Sequence, residues 1–289
     1  MKTRSKKVKD LEKFLKDEEL TDNEATFSDT QNKKNNSKKV RHLSESNTSE
    51  EIIKTYRKNL WSCCFKRVFD IIFALFFIIL SSPLMLAVAI LVKIKLGGPV
   101  FFNQYRPGKN NKIFKLYKFR TMTNAKDADG NFLPDSERMT KFGNALRKTS
   151  LDELPQLFNI LKGDMSVVGP RPKLVKDMVF YSEDQNVRAL VRPGLTGLAQ
   201  VNGRNNITWE EVFEYDKTYV KKIGLVLDFR IFLKTIWKVL FRKDVVVQDQ
   251  VVQNYYYGNY LLETNQITEE EFLEKQKHAE ELINEVKNK

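Results

Sequence analysis

From Ile71 to Val92 the chain runs 22 residues without a charge. At 1.5 Å per residue a helix of that length reaches about 33 Å, enough for the roughly 30 Å hydrocarbon core of a bilayer. Such a segment commits a chain to a membrane. It lies too far from the N-terminus for a secretory signal, and no small-residue cleavage site follows it. Ser81, Ser82 and Pro83 interrupt it near the middle. Pro83 removes one backbone donor and clashes with the carbonyl of Ile79, which predicts a break at the midpoint. Lys54, Arg57, Lys58, Lys66 and Arg67 precede the run, and Lys93, Lys95 and Arg106 follow it, so both ends favour the cytoplasmic side. Two readings remain open on these grounds. One is a kinked transmembrane helix, which bilayers tolerate, and the other is a re-entrant helix that turns at Ser82-Pro83 and leaves on the face it entered.

The rest of the chain is polar enough to surround this segment with a soluble body. Of its 289 residues 42% are hydrophobic, sufficient for a sizeable core in one large or two small domains. Lys and Arg number 49 against 37 Asp and Glu, a net charge of +12, which points to a polyanionic partner. Anionic lipid and nucleotides fit that description; nucleic acid is not expected, because no recognised binding module is visible and the apolar segment would go unexplained. The two cysteines, Cys63 and Cys64, are adjacent, so they cannot frame a disulfide scaffold or supply zinc-ligand spacing, and a reducing compartment fits. His42 and His278 lie in polar end segments. A Ser/His/Asp triad or a His-rich metal site is thereby disfavoured, and acid-base work falls to carboxylates, lysine or tyrosine.

Four segments emerge: a polar leader over 1–60, the membrane helix over 61–96, a folded domain over 97–245 and a C-terminal extension over 246–289. The leader has a largely disordered composition, with a short helix possible from Val8 to Leu20. Pro99 to Gln104 and Ile113 to Arg120 read as strands around a turn at Arg106 to Asn111, with Phe114, Leu116, Lys118 and Arg120 on one face. Asp127 to Gly130 reads as a solvated loop, since its glycine is misplaced for a calcium-binding hand. Glu137 to Lys148 reads as a helix, and another opens near Ser150, where Ser150 and Glu153 have capping-box spacing ahead of Pro155. Thr208 and Glu211 repeat that spacing. Ile231, Phe232, Ile236, Trp237, Leu240 and Phe241 form an apolar stripe beside Lys234, Lys238 and Arg242, the pattern of a helix in a membrane interface or of a core helix with a basic outer face. Thr268 to Lys289 forms an amphipathic helix that packs on its own domain or on a partner, either a second copy of the chain or a pathway enzyme.

Asp152 and Glu153 stand at a helix start, where orphan amides and the helix dipole favour negative charge. Alone they are ordinary first-turn acids. Around them, however, Lys118, Arg120, Arg147, Arg171, Arg192 and Arg204 sit beside glycines, prolines or strand ends, where a prealigned guanidinium suits phosphate oxygens. A carboxylate pair in a diphosphate site implies Mg²⁺ at Asp152 and Glu153 to offset repulsion.

The ordered segments Lys66-Arg67-Val68-Phe69-Asp70, Ser82-Pro83, Gly98-Pro99-Val100-Phe101-Phe102, Tyr117-Lys118-Phe119-Arg120-Thr121-Met122, Ser150-Leu151-Asp152-Glu153-Leu154, Leu161-Lys162-Gly163-Asp164-Met165-Ser166, Val168-Gly169-Pro170-Arg171-Pro172, Arg192-Pro193-Gly194 and Gln200-Val201-Asn202-Gly203-Arg204 resemble the monotopic phosphoglycosyl transferases, bacterial sugar transferases, and most closely their PglC-type members. The resemblance covers Lys66 to about Val245. It implies an α/β fold: a re-entrant helix broken at Ser82-Pro83, feeding a small mixed α/β domain with interfacial amphipathic helices on the cytoplasmic face of the bacterial inner membrane. It further implies that Asp152 attacks a UDP-sugar, releases UMP and carries a phosphosugar, which polyprenyl (undecaprenyl) phosphate then accepts. Glu153 would position or deprotonate the lipid phosphate; Lys118, Arg147 and Arg171 would hold phosphates; Lys66, Arg67 and Asp70 would fix the anchor at the headgroups. An N-acetylated sugar is favoured.

Overall fold

The computed structural model describes residues 49–57, 59, 61–203, 207–240 and 256–288. The expected helix from Val8 to Leu20, Arg204 and Phe241 lie outside them. The polar leader is not uniform: α1 (Ser49–Arg57) folds at its end and buries Ile52 in the main core, while Ser49 donates to Asp184 Oδ1 at 3.0 Å.

A π-type turn, Trp61–Phe65, leads into α2 (Lys66–Leu96), which carries the apolar run. Contrary to the expected break, the helix continues through Pro83. The physical reason lies one residue earlier. Pro83 cannot serve the carbonyl of Ile79, and the Ser82 hydroxyl donates to it at 2.9 Å instead; Ser81 does the same for Phe77 O at 2.6 Å. By length and composition α2 is able to cross a membrane, and only 17% of its most apolar window is buried, unlike the core helix of a soluble protein. Both ends nevertheless pack on the same body. Lys66, Asp70 and Ala74 are buried near the start, whereas Met85, Val88 and Val92 pack against Phe119 and Leu146 near the finish. Ile72, Phe76, Ile79, Leu80 and Leu84 between them are exposed.

Among the described residues the strand content of the expected α/β domain reduces to two two-stranded ladders and two isolated bridges, and the other regular elements are helical. β1 (Phe101–Pro107) and β2 (Ile113–Phe119) pair antiparallel, Gln104 opposite Leu116, across a turn in which Asn110 and Asn111 take positive φ. Phe114 and Leu116 are buried on one face, as the alternation predicts, with Lys118 half-buried after them; Phe119 and Arg120 at the end of the strand are both buried, so the alternation stops there. The helix expected from Glu137 begins late: after one turn at Asp135–Arg138, α3 (Lys141–Thr149) starts where Thr140 accepts from Gly143 N at 3.0 Å. Ser150 does not open the next helix. It adopts a left-handed conformation, φ 56°, that closes α3, so its side chain makes no capping bond. A 3₁₀ turn, Leu151–Glu153, and Pro155 then precede α4 (Gln156–Lys162).

β3 (Ser166–Val168) and β4 (Gly194–Thr196) pair in parallel. They bring the turns at Gly169 and Gly194 so close that a Cβ on Gly194 would lie 2.1 Å from Gly169 N. Beyond a short helix α5 (Leu198–Asn202), α6 (Trp209–Lys222) begins with the predicted box, Thr208 and Glu211 bonding reciprocally. α7 (Leu225–Leu240) buries Asp228 and Ile231 against the core, with Phe232 packed beside them. Its other side presents Leu225, Val226, Phe229, Leu233, Ile236 and Trp237 to the exterior. The predicted stripe is thus divided: Ile231 and Phe232 face inward, Ile236 and Trp237 outward. The extension forms α8 (Tyr257–Glu263) and α9 (Glu269–Lys287), whose Tyr257, Leu261 and Phe272 join Phe180, Trp209 and Phe213 in an aromatic cluster. Its apolar side packs on its own domain.

Candidate active site

The tight turn after Ser150 aims two adjacent acids in different directions, and they have opposite surroundings. Glu153 faces cations. Lys118 from β2 donates to its Oε1 at 3.0 Å, and Arg171 reaches Oε1 at 2.5 Å and Oε2 at 3.5 Å. Burial pushes the Glu153 pKa up, but Arg171 and Lys118 outweigh it and hold the carboxyl ionised well below its usual range. Glu153 in turn raises the pKa of Arg171, while burial lowers that of Lys118.

Asp152 is 6% exposed, yet among the described residues no hydrogen bond or ion pair engages its carboxylate. Burial and the neighbouring Glu153 charge push its pKa up to about 6, against the pull of Lys118, Arg147 and Arg171. Arg147, on the last turn of α3, is oriented by its Nε bond to Thr121 Oγ1 at 3.0 Å. Asp152, Glu153, Lys118, Arg147 and Arg171 therefore lie together in the structure. An unpartnered carboxylate within a shell of three cations can receive a phosphorus centre whose oxygens those cations bind.

Arg120 and Arg192 do not join this shell. Arg120 donates to Gly98 O at 2.8 Å, to Gly97 O at 2.6 Å and to Leu96 O, closing the carbonyls that the end of α2 leaves open. Arg192 donates its Nε to Gly163 O at 2.9 Å and lies beside Arg67, whose pKa burial and Arg192 both lower. The anchor residues likewise bind protein rather than standing free for headgroups. Lys66 pairs with Asp228 Oδ2 at 2.7 Å, Arg67 donates to Ile160 O and Leu161 O at 2.6 and 2.9 Å, and Asp70 Oδ1 accepts from Ser166 Oγ and Val167 N. The reason is geometric: one face of the first turns of α2, carrying Lys66 and Asp70, is buried, and a charge there must find a partner. Sequence reasoning did not single out Asp228, Arg188 or Asp216. Each stands within an ordinary helical or polar stretch with no glycine, proline or paired acid beside it, so nothing local distinguishes them.

A magnesium ion at this pair would rest on Asp152, because Glu153 has both oxygens turned to cations. Substrate phosphates and water would complete its shell, the usual arrangement for this ion. Among the described residues no three His, Cys, Asp or Glu side chains cluster into a ready-made metal site.

A family model described as bacterial sugar transferase matches residues 61–242. The chain is 47% identical over 194 residues to the uncharacterised sugar transferase EpsL of Bacillus subtilis, covering 67% of this chain and 96% of that one. It is 40% identical to an undecaprenyl-phosphate galactose phosphotransferase of Salmonella typhimurium, over 62% of this chain and 41% of the relative. It is 42% identical to a UDP-N-acetylgalactosamine-undecaprenyl-phosphate N-acetylgalactosaminephosphotransferase of Aeromonas hydrophila, over 61% of this chain and 43% of the relative. The chain thus spans nearly all of the Bacillus protein and about two fifths of the other two.

Proposed function

Since the chain belongs to the bacterial sugar transferase family, we propose that it moves a sugar 1-phosphate from a UDP-sugar to polyprenyl (undecaprenyl) phosphate, the step that begins a glycoconjugate. The observation that carries this reading is the contrast within the acid pair: Glu153 saturated by Lys118 and Arg171, Asp152 buried and unengaged. An Asp152 oxygen attacks the sugar-linked phosphorus, the bond from that phosphorus to the bridging oxygen breaks, and UMP departs with the electron pair. An oxygen of the lipid phosphate then attacks the same phosphorus and breaks the acyl-phosphate bond. The products are a polyprenyl-diphosphate sugar and a regenerated Asp152 carboxylate.

Arg171, Lys118 and Arg147 bind the phosphate oxygens and offset their charge. Glu153 keeps the first two aligned and positions the incoming lipid phosphate. Magnesium, when bound at Asp152 and the diphosphate, supplies further charge neutralisation. A re-entrant α2 is supported by the packing of both its ends on one body and by basic residues at both flanks. The outward apolar side of α7 supports a domain resting on the same, cytoplasmic, face of the bacterial inner membrane. An N-acetylated donor is the first to test, with UDP-glucose and UDP-galactose beside it.

The test is to incubate the purified chain with UDP-sugar and Mg²⁺ but no lipid, then measure intact mass. A phosphosugar adduct that is absent in Asp152→Asn is expected. UMP release that needs lipid phosphate, with no adduct, would rule the two-step scheme out. For topology, single cysteines placed at residue 60 and after Val92 are labelled from outside intact cells; labelling at either would sink the re-entrant reading.

A further inference from the structure

Arg171 grips Glu153 with its guanidinium tip, but the tip can be no more precise than the loop that carries it. That loop reads Gly169-Pro170-Arg171-Pro172. Each proline fixes its own φ and confines the residue before it to extended conformations, so Gly169 and Arg171 have little torsional freedom left. What remains is a swing of the peptide planes on either side of Pro172. Two arginines oppose that swing. Arg188 donates through Nη2 to the carbonyl of Arg171 at 2.7 Å, and Arg106 donates through Nη1 to the carbonyl of Pro172 at 3.1 Å.

Arg188 is itself held by two partners. It is 7% exposed, pairs with Asp216 Oδ2 at 2.9 Å, and donates Nη1 to the Tyr181 hydroxyl at 2.9 Å. Asp216 comes from α6, so the loop is tied to a core helix through a buried charge pair. Arg106 is fixed in turn by Gln104 Oε1, which accepts from its Nη2 at 2.6 Å. Neither arginine is among the cations bonded to Glu153.

We infer that Arg188, seated on Asp216 and Tyr181, is a positioning residue that acts on the reaction through Arg171. The inference rests on the transferase reading above. A buried arginine of this kind is otherwise a structural ion pair, and the two roles separate in a double-mutant cycle.

The experiment measures UMP release by the full-length chain in lipid nanodiscs, using a UDP-sugar that the wild type accepts. The variants are Arg188→Lys, Arg171→Ala and the pair together. Arg188→Lys keeps the charge but loses the fork, and is expected to lower kcat/KM by roughly 10- to 100-fold, the range for a catalytic group displaced by about 1 Å. In the Arg171→Ala background the same change is expected to cost nothing further. Losses that multiply in the double variant, or a melting temperature that falls with kcat/KM unchanged, would overturn the inference.

If Arg188→Lys fails to fold, Tyr181→Phe removes one of its supports, and a smaller loss that also vanishes with Arg171→Ala is expected. Hydrogen exchange at the Arg171 and Lys173 amides reads the same clamp without any activity. Faster exchange there in either variant is expected, and unchanged exchange counts against the inference. A wild-type chain that releases no UMP from any UDP-sugar would sink the transferase reading instead, leaving the exchange result to decide the clamp.

Discussion

Asp152 in the candidate active site and Asp228 at the foot of α2 are buried almost equally, 6% and 3% exposed, but their surroundings differ completely. Asp228 Oδ2 accepts from Lys66 at 2.7 Å and Trp61 Nε1 at 2.9 Å, and its Oδ1 lies 2.8 Å from the Tyr219 hydroxyl. Asp152 has cations near it and none bonded to it. Burial alone therefore does not separate a structural acid from a chemical one. Partnering does, because a carboxylate with every lone pair satisfied is a poor nucleophile and a stable joint.

The comparison breaks most sharply at Asp152. Asp152→Asn is expected to lower kcat by about 10⁴-fold, the scale for loss of a covalent nucleophile, as measured by UMP release. Its melting temperature is expected to hold or rise. Burial raises this acid's pKa above its unfolded value, so its ionised form opposes folding at neutral pH, and an amide removes that opposition. Asp228→Ala should do the reverse. It leaves Lys66 buried and unpaired, at a cost of about 3–5 kcal/mol read by thermal unfolding in detergent, with kcat per folded molecule largely kept. A catalytic loss without unfolding would erase the distinction.

Glu153 provides a second contrast from within the site, since it is well partnered like Asp228 yet stands next to the proposed nucleophile. Glu153→Gln keeps the shape and removes the charge that aligns Lys118 and Arg171. A fall in kcat/KM of about 10²-fold is expected, with the adduct at Asp152 still detectable by mass. The smallest effect is in pH. Asp152 must be ionised to attack and its pKa is raised to about 6, so kcat/KM is expected to fall about tenfold per pH unit below that point and to level off above it. A profile flat down to pH 5 would remove Asp152 from the acid limb.

Much of this site was legible in the sequence because its members lie beside local signals. Lys118 follows the strand alternation, Arg171 sits between prolines, and the acid pair follows a helix end. The same signals misled at Arg120 and Arg192. An arginine near a glycine can serve an orphan carbonyl as readily as a phosphate, and only the three-dimensional course of α2 decides which. Ser150 misled similarly, because capping-box spacing says nothing about φ, and here φ is 56°. The membrane segment was evident from length, whereas the pinning of both its ends depends on Asp228 and Val92 partners distant in sequence. The last turns of the leader were hidden by composition, since one buried Ile52 is enough to seat a helix.

The Ser82-Pro83 pair has a use beyond this chain. The carbonyl that the proline strands is met by the hydroxyl immediately before it, so the flaw and its repair travel together as adjacent residues. For anyone placing a proline inside an apolar helix, the transplantable unit is the dipeptide, because the proline alone would leave that carbonyl without a donor.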